Sequence, residues 1–95
     1  MNSNVLTPLH FAAQISNMEI CKLIIKNIQE KNPLGWGGWT PLHCAAQRGH
    51  FEICQLILNN VDEKNPKNHN GLTPFDHAFM YGHTSVVELF CKYIQ

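Results

Sequence analysis

Apolar residues in this chain recur at intervals of three and four. They stand at Ile20, Cys21, Ile24, Ile25 and Ile28, and again at Ile53, Cys54, Ile57, Leu58 and Val61. That spacing predicts helices, because the apolar positions of a half-buried strand would alternate. The helices start near Met18 and Phe51, and another of the same kind starts near Thr84. Each follows a shorter segment that opens on Thr-Pro, at Thr7-Pro8, Thr40-Pro41 and Thr73-Pro74. A threonine hydroxyl caps exposed helix N–H groups, and proline at the first helical position supplies the right φ while lacking a donor that would go unpaired. A first helix is therefore expected over Pro8 to Ile15, Pro41 to Arg48 and Pro74 to Tyr81, ending at Ser16, Gly49 and Gly82, where the two glycines suit a left-handed C-cap. Residues 31–39 (KNPLGWGGW) and 64–72 (KNPKNHNGL) are rich in Asn, Pro and Gly and read as an extended loop with a tight turn.

These elements repeat. TPLHFAAQ at 7–14 recurs as TPLHCAAQ at 40–47 and more loosely as TPFDHAFM at 73–80, with both offsets equal to 33 residues. NMEICKLIIKNIQEKNP (17–33) aligns with HFEICQLILNNVDEKNP (50–66) without a gap, and HTSVVELFCKYIQ (83–95) occupies the same slots. A fixed period of this length is the signature of stacked units that bury their apolar faces on one another. The expected organisation is one array over residues 1–95, with repeats at about 2–34, 35–67 and 68–95.

The motifs TPLHFAA, GWTPLHCAAQRGH and GLTPFDHAFMYGH resemble ankyrin repeats, with a turn glycine at Gly38 and Gly71 two residues before the threonine. The resemblance covers the whole chain. It implies an all-α fold, an ankyrin-repeat solenoid of three stacked helix-turn-helix units with β-turn fingers, and a concave face made by first helices and fingers. In the family that face binds proteins. The resemblance also implies that His10 and His43, the fourth letter of TPLH, hydrogen-bond the threonine turn and the next repeat. Some positions depart from the pattern. Val5 stands where the turn glycine belongs, Asn17 where His50 and His83 stand, Asp76 in the TPLH histidine slot and Phe79 where Ala13 and Ala46 are small. These residues are expected at worn array ends. Ile28-Gln29 and Val61-Asp62 replace the Gly-Ala with which the family usually closes its second helix, so that helix is expected to run a turn longer. Met1 begins almost inside a repeat, which suits a fragment of a longer array or association through uncapped ends.

Composition narrows the function classes. The hydrophobic share is 44% and charged residues make up 15%, against about 25% in typical domains, so the chain is globular and not disordered. Seven Lys and Arg balance seven Asp and Glu without a basic patch, which argues against nucleic acid and anionic membrane as partners. The apolar runs fall short of the ~20 residues a membrane span needs, and no charged-then-apolar leader pattern opens the chain. Cys21 and Cys54 share a repeat slot on neighbouring helices whose axes should lie about 8–10 Å apart, beyond disulfide reach. With Cys44 and Cys91 unmatched and no glycosylation sequon, an intracellular, cytoplasmic setting is expected.

Six histidines and four cysteines invite a zinc reading, but CxxC, HxxxH and HExxH spacings do not occur. Cys44 beside His43 points to another side of the same helix, which disfavours a nucleophile pair. Glu19, Glu52 and Asp62 read as solvated helix-face charges, and Gly35, Gly37 and Gly38 lack the following Lys-Ser/Thr of a phosphate loop. No catalytic residue, metal or cofactor is assigned. Exposed slots that vary between repeats are the expected binding residues: Leu6, Trp36, Trp39, His69 and Leu72 in the fingers, and Gln14, Ile15, Gln47, Arg48, Met80 and Tyr81 at the ends of first helices. Trp, Tyr and Arg are the types that most often dominate interfaces. The competing reading is that Trp36 lies over its own finger and that Trp39 packs between fingers. The function expected is non-catalytic binding of a protein partner. The alternatives are a structural segment of a longer array and, more remotely, an enzyme.

Overall fold

The computed structural model describes residues 6–29 and 33–94. Six helices follow one another as three antiparallel pairs: α1 (Pro8–Ile15) with α2 (Met18–Asn27), α3 (Pro41–Arg48) with α4 (Phe51–Leu58), and α5 (Pro74–Met80) with α6 (Thr84–Tyr93). No strand forms among the described residues. The all-helical solenoid expected from the period is what the chain adopts. Val5 lies outside the described residues.

Each first helix starts from the same local chemistry. Thr7, Thr40 and Thr73 hold extended φ/ψ, their hydroxyls accept from the backbone N–H of His10, His43 and Asp76, and proline follows at the first helical position. The third residue of each helix bonds back to the threonine N–H, which completes a reciprocal capping box. In the third pair Asp76 plays that part, its Oδ2 accepting from Thr73 N at 3.0 Å. The helix turns over at a left-handed residue: Gly49 has φ 74°, and its N–H reaches the carbonyls of Ala45 and Ala46. Ser16 does the same job at φ 61° without glycine's freedom.

Two boundaries differ from expectation. α5 stops at Met80, with Tyr81 as its cap, and Gly82 takes the left-handed step at φ 75°. The second helices do not run a turn longer, because α2 ends at Asn27 and α4 at Leu58. Asparagine amides account for this, since they compete for the last carbonyls. Asn27 Nδ2 donates to Leu23 O at 2.7 Å and Asn60 Nδ2 to Leu56 O at 2.8 Å, while Lys64 Nζ donates to the carbonyls of Leu58 and Val61. Ile28 is already extended, and Val61 enters the core from a loop.

The core runs along the seam between layers. Leu9, Leu42, Ile53, Ile57, Leu58, Val86 and Phe90 are fully buried, each worth about 1.5–3 kcal/mol in transfer terms. Ala12, Ala13, Ala45 and Ala46 are buried as well and let first helices approach closely. α1, α3 and α5 pack against one another more extensively than α2, α4 and α6 do. The stack is therefore tighter on the first-helix side and curves toward it. Phe79, in the small-residue slot of α5, is 70% exposed on the outer side of the last pair.

Position 49 and position 16 share one backbone role but not one residue, which generates a paired prediction. A Cβ on Gly49 would stand 2.6 Å from Nδ1 of His83 as well as meeting the left-handed penalty. Gly49→Ala should destabilise by about 2 kcal/mol, whereas Ser16→Gly should stabilise by about 0.5 kcal/mol. Urea midpoints of the two variants are expected to move in opposite directions.

Candidate functional site

The side of the array carrying fingers and first helices is held by histidines at every seam. Thr7 N–H donates to His10 Nδ1 at 3.2 Å, so that nitrogen is the acceptor and Nε2 carries the proton. Nε2 then donates to the carbonyl of Trp39 in the next repeat at 2.7 Å. His43 repeats the arrangement, with Thr40 N on Nδ1 at 3.1 Å and Nε2 on the Leu72 carbonyl at 2.8 Å. A second set points the other way. His50 Nε2 donates to the carbonyl of Gln14 at 2.9 Å, and His83 Nε2 to that of Gln47 at 2.8 Å. Each seam thus has one histidine bond at either end of a first helix. The repeat pattern aligns His50 with His83 and says nothing of these bonds. Asn17, in the same slot of the first repeat, caps its own helix through Ile20 N at 3.0 Å.

The fingers are tight turns, closed by Gly35 N to Trp39 O at 2.7 Å and by Asn68 N to Leu72 O at 2.8 Å. Trp36–Gly38 forms a short 3₁₀ turn, and His69 N bonds the carbonyl of Gly37 at 2.9 Å, joining one finger to the next. The His69 ring lies so close over Gly38 that a Cβ there would meet it at 2.5 Å.

Against this frame the expected binding residues divide into groups. Leu6, Gln14, Trp36 and Trp39 come together around a cleft of about 160 Å³, with Cys44 as the fifth lining residue. Trp36 is 58% exposed, so its ring is presented as well as folded into the cleft wall. Trp39 is half-buried, and its ring centroid lies 4.5 Å from that of His77, so it packs and lines at once. Gln47 Nε2 donates to Tyr81 Oη at 3.1 Å, and the Tyr81 ring stacks on His83 at 6.5 Å. Ile15 and Arg48 are exposed at the ends of α1 and α3, and Met80 is exposed at the end of α5. Leu72 is half-buried, and its contribution to the seam is its carbonyl. Cys44, unmatched among the cysteines and given no binding role by its sequence position, has its Sγ accepting from Gln14 Nε2 at 3.7 Å. Its slot is the signal that was available, because Phe11 and His77 at the same offset differ from it and from each other.

A larger apolar hollow, lined among others by Leu9, Leu23, Ile24 and Ile28, opens on the outer face of the first pair. Leu23 is 61% exposed there, while its counterpart Leu89 in the third pair is 3% exposed under α4.

A family model described as ankyrin repeats (3 copies) matches residues 1–68, more than half of the chain. The chain belongs to the ankyrin-repeat family. Members of this family are generally protein-interaction modules and typically non-catalytic. Among curated proteins none matches the chain. The third ankyrin unit lies mostly beyond the matched residues, and its capping box and backward-reaching histidine repeat those of the second. No helix among the described residues is long and apolar enough to cross a membrane. The four cysteines are free thiols, and burial raises the Cys54 thiol to about 12.

Burial also lowers the histidines. His43 is pushed down to about 4, chiefly by desolvation and further by the nearby His77, and His10 and His77 are lowered for the same first reason. Geometry agrees, since a proton on Nδ1 of His43 would face the N–H of Thr40. Above pH 6.5 the folded and unfolded chains both hold these rings neutral. As pH falls from 6.5 toward about 4, the unfolded chain takes up protons that the folded one does not, so stability drops through that window. His43 alone should remove on the order of 3 kcal/mol. Urea midpoints measured at pH 7.5, 6.0 and 4.5 should fall in that order, and a constant midpoint would contradict the clasp.

Proposed function

We propose that this chain acts as one ankyrin array over residues 1–95 and works by non-catalytic binding of a protein partner on the side carrying fingers and first helices. The observation that carries the reading is the cleft bounded by Leu6, Gln14, Trp36 and Trp39, whose slots vary among the three repeats, beside the histidine bonds that join each repeat to the next. A concave site with apolar walls and a few polar groups is the usual form of a recognition pocket. Arg48, Gln47, Tyr81 and Met80 extend the same side, His69 and Leu72 hold its fingers in place, and Ile15 adds an apolar rim at the end of α1. Partner binding needs neither cofactor nor metal. An intracellular setting belongs to the same reading, and the four free thiols are compatible with it. Trp36→Ala combined with Arg48→Ala should leave the unfolding free energy from urea titration within about 0.5 kcal/mol of wild type, because both side chains are exposed. Affinity for a partner captured by the wild-type chain should fall by about tenfold or more. Unchanged affinity would remove this side from contention.

The hollow on the outer face of the first pair favours a second reading, in which the array stacks on another repeat unit or on a second copy. The corresponding slot is half-buried at Leu56 in the second pair and buried at Leu89 in the third, where α6 packs on α4, whereas Leu23 is exposed. Light scattering during size-exclusion chromatography at 10 and 200 µM would test it, these being roughly the limits of weak association. A mass that rises with concentration, and does not rise in Leu23→Glu, is expected on this reading; a constant monomer mass removes self-association.

A further inference from the structure

The cleft on the finger side has a chemistry that narrows what fits it, and this inference rests on the binding reading above. Its volume of about 160 Å³ suits one ring or one branched aliphatic side chain, since apolar cavities near that size take up benzene. Leu6 and the two tryptophans supply apolar contact, and Gln14 adds an amide at the edge. Cys44 lines the same cleft from α3. Arg48 lies one helical turn further along α3, where residues four apart stand about 5–6 Å from one another.

Charge is segregated around this point. Among the described residues Glu19, Glu52 and Glu88 lie on second helices, and Asp62 and Glu63 lie in the loop after α4. The carboxylate left on the finger side is Asp76, engaged with Thr73 N at the start of α5. Among the described residues Arg48, exposed at the end of α3, is the formal charge next to the cleft, close enough to Cys44 for its charge to act on that thiol. Complementary potentials set partner choice more than they set affinity.

We propose that the occupant is a short acidic segment of a protein partner, with one aromatic or branched aliphatic side chain in the Leu6–Trp36–Trp39–Cys44 cleft and an adjacent Asp or Glu carboxylate on the Arg48 guanidinium. The apolar anchor provides affinity, and the carboxylate fixes direction, because Arg48 lies toward only one end of the cleft. A guanidinium suits the second task, since its planar fork matches a carboxylate in two hydrogen bonds.

The chain carries its own reporter. Trp36 and Trp39 are its two tryptophans, and both line the cleft, so intrinsic emission reads occupancy directly. The full chain would be titrated with terminally capped heptapeptides that hold a central Phe between two Asp, two Lys or two Ser residues, and with the Asp peptide whose Phe is Ala. The Asp-Phe-Asp peptide is expected to shift emission saturably, about tenfold or more tighter than the Lys or Ala versions, and to weaken with added salt. Arg48→Glu, whose helical content is checked by circular dichroism, should reverse the preference in favour of the Lys peptide. Equal binding of Asp, Ser and Lys peptides would overturn the acidic assignment while leaving finger-side recognition standing. No emission change with any peptide would overturn the proposal itself, and the Trp36→Ala/Arg48→Ala affinity comparison would then decide the wider reading separately.

Discussion

A neutral imidazole has one donor and one acceptor, and at His10 and His43 both are used across the same joint. The acceptor takes the capping threonine's N–H, and the donor takes a main-chain carbonyl of the following repeat. Helix start and inter-repeat packing are thereby one event. If the threonine turn is not formed, the ring is not oriented, and the next finger loses its anchor. The arrangement works only in water-poor surroundings, since an exposed ring would exchange these bonds for solvent with little net gain. It is supplied with such surroundings by the alanine-lined approach of the first helices, and it in turn holds those helices in register. Local capping, layer packing and finger position therefore stand or fall together.

The fold was largely legible because each of its rules is local. Thr-Pro marks every first helix, the 33-residue offset gives the stacking order, and the apolar slots of α2 and α4 identify their buried sides. What escaped depends on competition at element ends. Ile28 and Val61 continue the apolar spacing, yet asparagine amides and Lys64 claim the terminal carbonyls and the chain leaves the helix earlier. The same limit applies to the cleft. Leu6, Gln14, Trp36 and Trp39 were selected as variable, but that they surround one space follows from finger geometry and not from their spacing in the chain. Cys44 was hidden because the amide that bonds its Sγ comes from a residue thirty positions away, Gln14. The open hollow at Leu23 escaped for the opposite reason, since Leu23 occupies a scaffold slot and differs from its buried counterpart Leu89 in having no cover among the described residues.

The two ends of the array are not equivalent. On the first pair, the slot that carries a backward-reaching histidine elsewhere holds Asn17, which satisfies its own helix; on the last pair, the forward-reaching slot holds Asp76, which does the same. In both places a residue that would hold a neighbour is exchanged for one that completes a local cap. The outer faces differ in shape as well. The first offers a hollow lined by Leu23 and Ile24, and the last presents the bulk of Phe79 where the inner first helices keep alanine. Contacts at either outer face would therefore follow rules unlike those of the inner seams.

The histidine bonds at the two ends of the first helices end on main-chain carbonyls, those of Gln14, Trp39, Gln47 and Leu72. A carbonyl is common to every amino acid. Gln14 and Trp39 line the cleft and Gln47 bonds Tyr81 through their side chains, yet the joint does not depend on their identity. Substitution there can rewrite the chemistry of the surface while the bond beneath it persists. The array thus separates what holds it together from what it displays, and that separation lets a single scaffold be adapted to new ligands one side chain at a time.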